Sequence, residues 1–223
     1  MTSEDRFRNR HEAGKALASE LARRIPERED LLVLALPRGG VPVGYEIACE
    51  LGAPLDVFVV RKLGVPGQEE LAMGAIASGG ARVVNDEVIG PLRISGDSIE
   101  RVARQEQQEL ERREHLYRGS LPPLDVRGRT VIVVDDGLAT GSTMRVAVQA
   151  LRKMDPARIV VAVPVAAAST YASFRAEGVE IVCLRTPEPF HAVGLWYEDF
   201  SQTEDEEVHE LLRRARARSG ATR

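Results

Sequence analysis

Val131-Ile132-Val133-Val134 is an unbroken β-branched run that ends on two acids, Asp135-Asp136, and passes directly into Gly137-Leu138-Ala139-Thr140-Gly141-Ser142-Thr143. A segment that is apolar at every position, not at alternate ones, suits a strand buried on both faces, as in the centre of a parallel sheet. From Met144 to Met154, residues Val146, Ala147, Ala150, Leu151 and Met154 fall on one helical face. The unit is strand, short loop, helix, and it puts paired carboxylates a few ångströms from a turn rich in glycine and hydroxyls.

Each part of that turn has a chemical use. Gly137 and Gly141 let the backbone approach a ligand without a Cβ in the way, and the N–H groups that open the following helix favour an anion. Thr140, Ser142 and Thr143 add hydroxyl donors, so a phosphomonoester is the natural guest. The neighbouring acids would repel by roughly 3 kcal/mol at ~5 Å and an effective dielectric of about 20. A vicinal diol, a divalent cation, or both would offset that repulsion, which points to a sugar phosphate with hydroxyls over the acids and phosphate in the turn.

Nucleoside-triphosphate chemistry of the P-loop type is excluded, because no Lys follows Gly141 and no such loop lies upstream. The segment VIVVDDGLATGST resembles instead the phosphoribosyl pyrophosphate (PRPP) motif of type I phosphoribosyltransferases. The resemblance extends from about residue 31 to residue 185. It implies an α/β fold with a mostly parallel twisted sheet, helices on both faces, and a small hood built from the terminal segments. It also implies that the ribose hydroxyls meet Asp135 and Asp136 and the 5′-phosphate sits in the loop from Gly137 to Thr143. Mg²⁺ would be held by the same two acids, directly or through water.

Two further segments acquire meaning beside this motif. Pro37-Arg38-Gly39-Gly40 ends the first apolar run and offers N–H groups and one fixed cation. By position it resembles the family's pyrophosphate loop, where a cis peptide is frequent. Arg61-Lys62 stands at the start of the segment from Val60 to Gly74, Val60-Arg61-Lys62-Leu63-Gly64-Val65-Pro66-Gly67-Gln68-Glu69-Glu70-Leu71-Ala72-Met73-Gly74. The resemblance implies a mobile loop there that excludes water, with Arg61 and Lys62 joining Asp135 and Asp136 as the catalytic set. In the implied reaction the ribose 5-phosphate group of PRPP passes to a small nitrogenous, nucleobase-like acceptor and pyrophosphate leaves. Ala139 stands where members acting on hypoxanthine or guanine commonly carry an acid, which disfavours those bases.

The chain of 223 residues is 43% hydrophobic, enough for one sizeable core without disulfides or metals. Strands are expected at Leu31 to Leu36, Leu55 to Val60, Ala75 to Ala77, Arg82 to Asn85, Ile159 to Val163 and Val179 to Leu184. Helices are expected at Phe7 to Arg24, Val43 to Leu51, about Ser98 to Tyr117, Ala167 to Glu177 and about Glu204 to Arg218. The long one would be opened by Asp97 and Glu100, and the last by Thr203 and Glu206. Alternating strands and helices favour a doubly wound sheet. One domain over residues 1–223 is expected, with a core at about 25–185 and a hood at about 186–223 joined by the N-terminal helix at 6–24.

A net charge of −4 gives no support for nucleic acid as a bulk electrostatic partner. Cys49 and Cys183 are far apart, and His11, His115, His191 and His209 show no ligand spacing. No leader or membrane-spanning run is visible, so a cytoplasmic protein is expected, and relatives make a homodimer the expectation. Aromatic residues are only 4% of the chain, yet Phe190, Trp196, Tyr197 and Phe200 cluster near its end. The expectation is that the acceptor stacks on Trp196 or Tyr197, the alternative being that these rings fasten the tail to the core. A regulator that keeps the fold only to sense PRPP or a nucleotide is the competing functional class.

Overall fold

The computed structural model describes residues 6–26 and 29–220. Residues 1–5, with the N-terminus read above as lacking a leader, and residues 27–28 and 221–223 lie outside the described part, as does the side chain of Glu70.

Five parallel strands, β1 (Leu31–Ala35), β2 (Leu55–Val57), β6 (Thr130–Val134), β7 (Arg158–Val165) and β8 (Glu180–Arg185), form a sheet in the order β2-β1-β6-β7-β8. The motif strand β6 is central, paired in register with β1 (Val33 opposite Ile132) and with β7 (Val133 opposite Val161). Its side chains alternate between two cores. Ile132 and Val134 join Val33, Ala35, Val160 and Ala162 under α1 (Arg10–Arg24), α2 (Gly40–Leu51) and α7 (Asp205–Gly220). Val131 and Val133 join Leu32, Leu34, Val161 and Val163 under α5 (Ser142–Arg152) and α6 (Ala168–Ala176). Burial on both faces is what a run without polar residues requires.

A second, antiparallel sheet of β3 (Val60–Val65), β4 (Gln68–Ala77) and β5 (Ala81–Val84) stands beside the first. The expected strand from Leu55 to Val60 is thereby divided: β2 stops at Val57, and Val60 begins β3. Ser78 fixes the change of sheet, its Oγ accepting from the Val59 N–H and its own N–H donating to the Val59 carbonyl, both at 2.9 Å. The expected mobile loop at 60–74 is instead the hairpin β3–β4, turning at Pro66-Gly67 with Gly67 at φ 80°. Local turn chemistry and the Val60↔Ala77 to Leu63↔Gly74 pairing prevail there over a loop.

Two helices follow, α3 (Asp86–Leu92) and α4 (Gly96–Arg118). The first was not anticipated, and none of its residues is fully buried. The second is capped by Ser95, whose side chain accepts from the Ser98 N–H, and not by Asp97. Helix α1 starts at Arg10 because Asn9 caps it, its side chain accepting from the Glu12 N–H. Phe7 instead runs alongside Tyr197: its N–H donates to the Trp196 carbonyl at 2.9 Å, and its carbonyl accepts from Glu198 at 2.8 Å. The two terminal segments are thus joined over the carboxyl ends of the parallel strands. Both cysteines are free thiols, and among the described residues no helix is long and apolar enough to cross a membrane.

Candidate functional site

Asp135 and Asp136 follow the last residue of β6 and sit at the carboxyl edge of the sheet, where open α/β sheets take ligands. The Asp135 Oδ1 accepts from the Asp136 N–H at 2.9 Å. Burial, and then the charge of Asp136, pushes the Asp135 carboxyl well above the usual carboxylate range. Burial also raises Asp136, against the pull of Arg10, whose Nε donates to Asp136 Oδ2 at 2.8 Å. The protein therefore supplies part of the compensation that the paired acids require.

The turn after the acids is stitched to β7 and α6. Leu138 donates to the Val165 carbonyl and accepts from Ala167, both at 2.9 Å, and Thr170 Oγ1 donates to the Ala139 carbonyl at 2.5 Å. Gly141 caps α5 at φ 69°, a left-handed conformation that L side chains rarely adopt. A Cβ there would also lie 2.7 Å from the Phe174 ring. Having no side chain, Gly141 makes no cap bond to the first turn of α5, where the Ser142 N–H meets Thr140 Oγ1 only at the long distance of 3.5 Å. Asp135, residues 137–144 and Val193 line a cleft of about 180 Å³ in front of that first turn. A phosphate has donors, hydroxyls and a helix N-terminus there.

Arg38 lies in the connection from β1 to α2, after a cis Pro37–Arg38 peptide. Gly39 and Gly40 let that connection close on the acids: a Cβ at Gly39 would lie 2.1 Å from Asp136 Oδ2, and one at Gly40 2.6 Å from the Val134 carbonyl. The Arg38 guanidinium faces Glu204 at 3.7 Å and Asp205 at 3.8 Å. Arg61 and Lys62 diverge on β3. Arg61 pairs with Glu106 of α4 at 2.6 Å, while Lys62 Nζ donates to Ser142 Oγ at 2.8 Å, at the end of the turn after the acids. The structure thus gathers the acids, the turn, Lys62 and the Arg38 loop, and directs Arg61 toward α4.

Trp196 and Tyr197 require a correction. Tyr197 is 2% exposed and Trp196 8%, packed with Phe7, Ala13 and Val165, so neither ring offers an open face for stacking. Phe190 covers the indole, ring centroids 6.5 Å apart and nearly parallel. The indole N–H has no hydrogen-bond partner among the described residues. Tyr197 acts through its hydroxyl, which donates to the Asp136 carbonyl at 2.6 Å; burial and the nearby Asp136 charge raise its pKa strongly. The rings fasten the tail because the hydrophobic gain of enclosing them exceeds what a solvent-facing platform would keep.

Arg10 is the site residue the sequence reading missed. Its one local signal is its place: a cation at the first position of α1, where the helix dipole disfavours positive charge, calls for a distant partner.

A mixed pair of loops closing on two acids at a central strand invites comparison with known proteins. The family model described as the phosphoribosyl transferase domain matches residues 5–192. Rv0571c of Mycobacterium tuberculosis (strain ATCC 25618 / H37Rv), provisionally named a phosphoribosyl transferase, is 44% identical over 209 residues, covering 94% of this chain and 47% of that protein. The chain thus spans about half the length of that relative. The bifunctional protein PyrR of Chloroflexus aurantiacus (strain ATCC 29366 / DSM 635 / J-10-fl) is 32% identical over 147 residues, 61% of this chain and 71% of that protein. The crystal structure of TT1426 from Thermus thermophilus is 41% identical, with a TM-score of 0.82 over 93% of this chain and 97% of that one. Since the family match runs from residue 5 past β8 and takes in both acids, the turn after them and the Arg38 connection, the chain belongs to the phosphoribosyl transferase domain family.

Proposed function

We propose that this chain transfers the ribose 5-phosphate group of PRPP to a small nitrogenous, nucleobase-like acceptor. The observation that carries the reading is the adjacency of the N-terminus of α5, which Gly141 leaves without a cap bond and where Lys62 reaches Ser142, to the buried acid pair. A 5′-phosphate in the turn would place ribose hydroxyls over Asp135 and Asp136. Breaking the bond from C1 to the pyrophosphate oxygen sends the electron pair to pyrophosphate and leaves cationic character on the ring. The acceptor nitrogen then forms the new bond to C1 and gives up a proton. The Arg38 guanidinium, in the connection just before α2, suits the departing anion.

The acid pair also fits Mg²⁺. Among the described residues no group of three or more His, Cys, Asp or Glu side chains could hold a metal, so a cation at Asp135 and Asp136 would need phosphate oxygens and waters for its remaining ligands. That ligand balance suits magnesium, which commonly uses one or two carboxylates plus substrate phosphates. When bound it would neutralise charge on the pyrophosphate.

A second reading, a PRPP-sensing or nucleotide-sensing regulator, is favoured by one observation: Arg38, Arg61 and Lys62 each already face a partner in the protein. Incubating the chain with PRPP and Mg²⁺ and assaying pyrophosphate across a panel of bases and amines separates the two. Release dependent on one acceptor identifies the enzyme and its substrate together. Saturable PRPP binding without release under any acceptor supports the sensor, and absence of PRPP binding overturns both.

A further inference from the structure

Arg10 occupies a position that no ordinary surface pairing explains. Its side chain is 11% exposed and that of Asp136 15%, so the pair is largely removed from water. Nε takes Asp136 Oδ2, Nη1 donates to the Ser201 carbonyl at 2.7 Å, and the guanidinium carbon lies 3.9 Å over the Phe200 ring. Phe200 packs against Tyr197, ring centroids 5.1 Å apart, and Tyr197 in turn donates to the Asp136 carbonyl. A Cβ at Gly194 would sit 2.7 Å from Phe200 Cδ1, so the absence of a side chain there is what admits the ring. Asp136 is therefore held twice by one assembly: its carboxylate through α1, its main chain through the C-terminal tail.

The geometry is monodentate. A guanidinium free to choose would grip a carboxylate with both arms; here the second arm is spent on Ser201, and Oδ1 of Asp136 receives no donor from Arg10. The Asp136 charge is thus balanced through one oxygen only, while the buried Asp135 carboxylate receives the Asp136 N–H.

We propose that Arg10 is a positioning residue for sugar recognition: it fixes Asp136 so that one oxygen is committed within the protein and the other is available to a ribose hydroxyl. It also makes that orientation depend on the tail being docked through Phe200 and Ser201. This rests on the sugar-phosphate reading above. The guanidinium is engaged by Asp136, Ser201 and Phe200 and not by the turn at 137–143, so its effect on sugar and on bare phosphate separates.

The test is calorimetry of wild type, Arg10→Gln, Arg10→Lys and Phe200→Leu with Mg²⁺ and PRPP, ribose 5-phosphate and inorganic phosphate as probes. The expected result for Arg10→Gln is a loss of about ten-fold or more in ribose 5-phosphate affinity with inorganic phosphate affinity within about two-fold of wild type. Arg10→Lys, which keeps a cation for one oxygen but not the second arm, recovers part of the loss. Phe200→Leu, which keeps Arg10 and removes its clamp, falls between. Equal losses for both probes would make Arg10 merely structural, and unchanged sugar affinity would make it irrelevant; either overturns the proposal while leaving the sugar-phosphate reading intact. Wild-type protein that binds phosphate but neither sugar phosphate overturns that reading and the role of Arg10 with it.

Discussion

Lys62 Nζ donates to Ser142 Oγ at 2.8 Å across 80 residues of chain, joining the hairpin of the small sheet to the first turn of α5. The ammonium therefore stands beside the cleft read as the phosphate site, which Ser142 lines. Lys62→Met is expected to weaken ribose 5-phosphate binding by roughly 10- to 150-fold, the ~1.5–3 kcal/mol of a hydrogen bond to a charged group. Because Lys62 is exposed, the difference should shrink as ionic strength rises. Titrations at low and high salt check both statements; equal affinities at low salt would place the lysine outside the phosphate site.

Gly39 stands under Asp136. Its φ of −58° is open to any residue, so an alanine there is not strained in the backbone. The added Cβ would instead meet Asp136 Oδ2 at 2.1 Å and Cγ at 2.8 Å, with Arg10 Nε at 3.4 Å behind them. The carboxylate can move aside only by giving up Arg10. Gly39→Ala is expected to lose about 1–3 kcal/mol of stability, the usual cost of overpacking, and to bind PRPP more weakly. Urea unfolding with a parallel titration tests this, and a variant matching wild type in both would show the acid free to reorient.

Asp135 trades stability for its chemistry. Burial and the charge of Asp136 raise its pKa well above the usual carboxylate range, so holding it ionised at neutral pH costs the ligand-free protein. A raised folded-state pKa gives a contribution that is fully present below the unfolded value of about 3.9 and is lost as pH rises through the folded value. Asp135→Asn keeps an acceptor for the Asp136 N–H and removes the charge. In chelator at pH ~7 its melting temperature should exceed wild type by roughly 2–4 °C per kcal/mol recovered, and the advantage should narrow toward pH ~4. Binding of PRPP should be lost in the same variant. A variant less stable than wild type at neutral pH would contradict the cost assigned to this charge.

How far these features are legible in the sequence depends on the range of the force that sets them. Val131 to Val134 and Leu31 to Ala35 declare themselves because burial on both faces removes polar residues at every position. Gly141 declares itself because φ 69° and the Phe174 contact leave little room for a side chain. The cap of α4 is expected at Asp97, because Gly96 is a poor helix former and argues locally against an earlier start; only the Ser95 bond to the Ser98 N–H moves it. Arg10 and Asp136 are 126 positions apart, and several arginines near the N-terminus look alike until the tail closes over one of them. For Trp196 and Tyr197 composition allowed either a platform or a fastening, and the choice was made by Phe7 and Val165, which no local pattern connects to them.

Tyr117 links the long helix to Arg38 through Asp205. Its hydroxyl donates to Asp205 Oδ1 at 2.6 Å, and that same oxygen faces Arg38 at 3.8 Å. Burial, then the hydrogen bond to Asp205, pushes the phenol up to about 12. An unfolded tyrosine ionises near 10, so the contribution is complete below about pH 10 and is lost as pH climbs through about 12. Tyr117→Phe should therefore cost about 1 kcal/mol near neutrality, the net value of one hydrogen bond, and approach wild type above pH ~11. The variant also deprives Asp205 of its donor, so the carboxylate turns to Arg38 and competes with an incoming anion, and pyrophosphate affinity falls. Denaturant titrations from pH ~7 to ~12, with pyrophosphate binding measured at the lower end, test the two effects separately. Stability curves that stay parallel to the alkaline limit would remove the phenol from the alkaline dependence, and unchanged pyrophosphate affinity would uncouple α4 from Arg38.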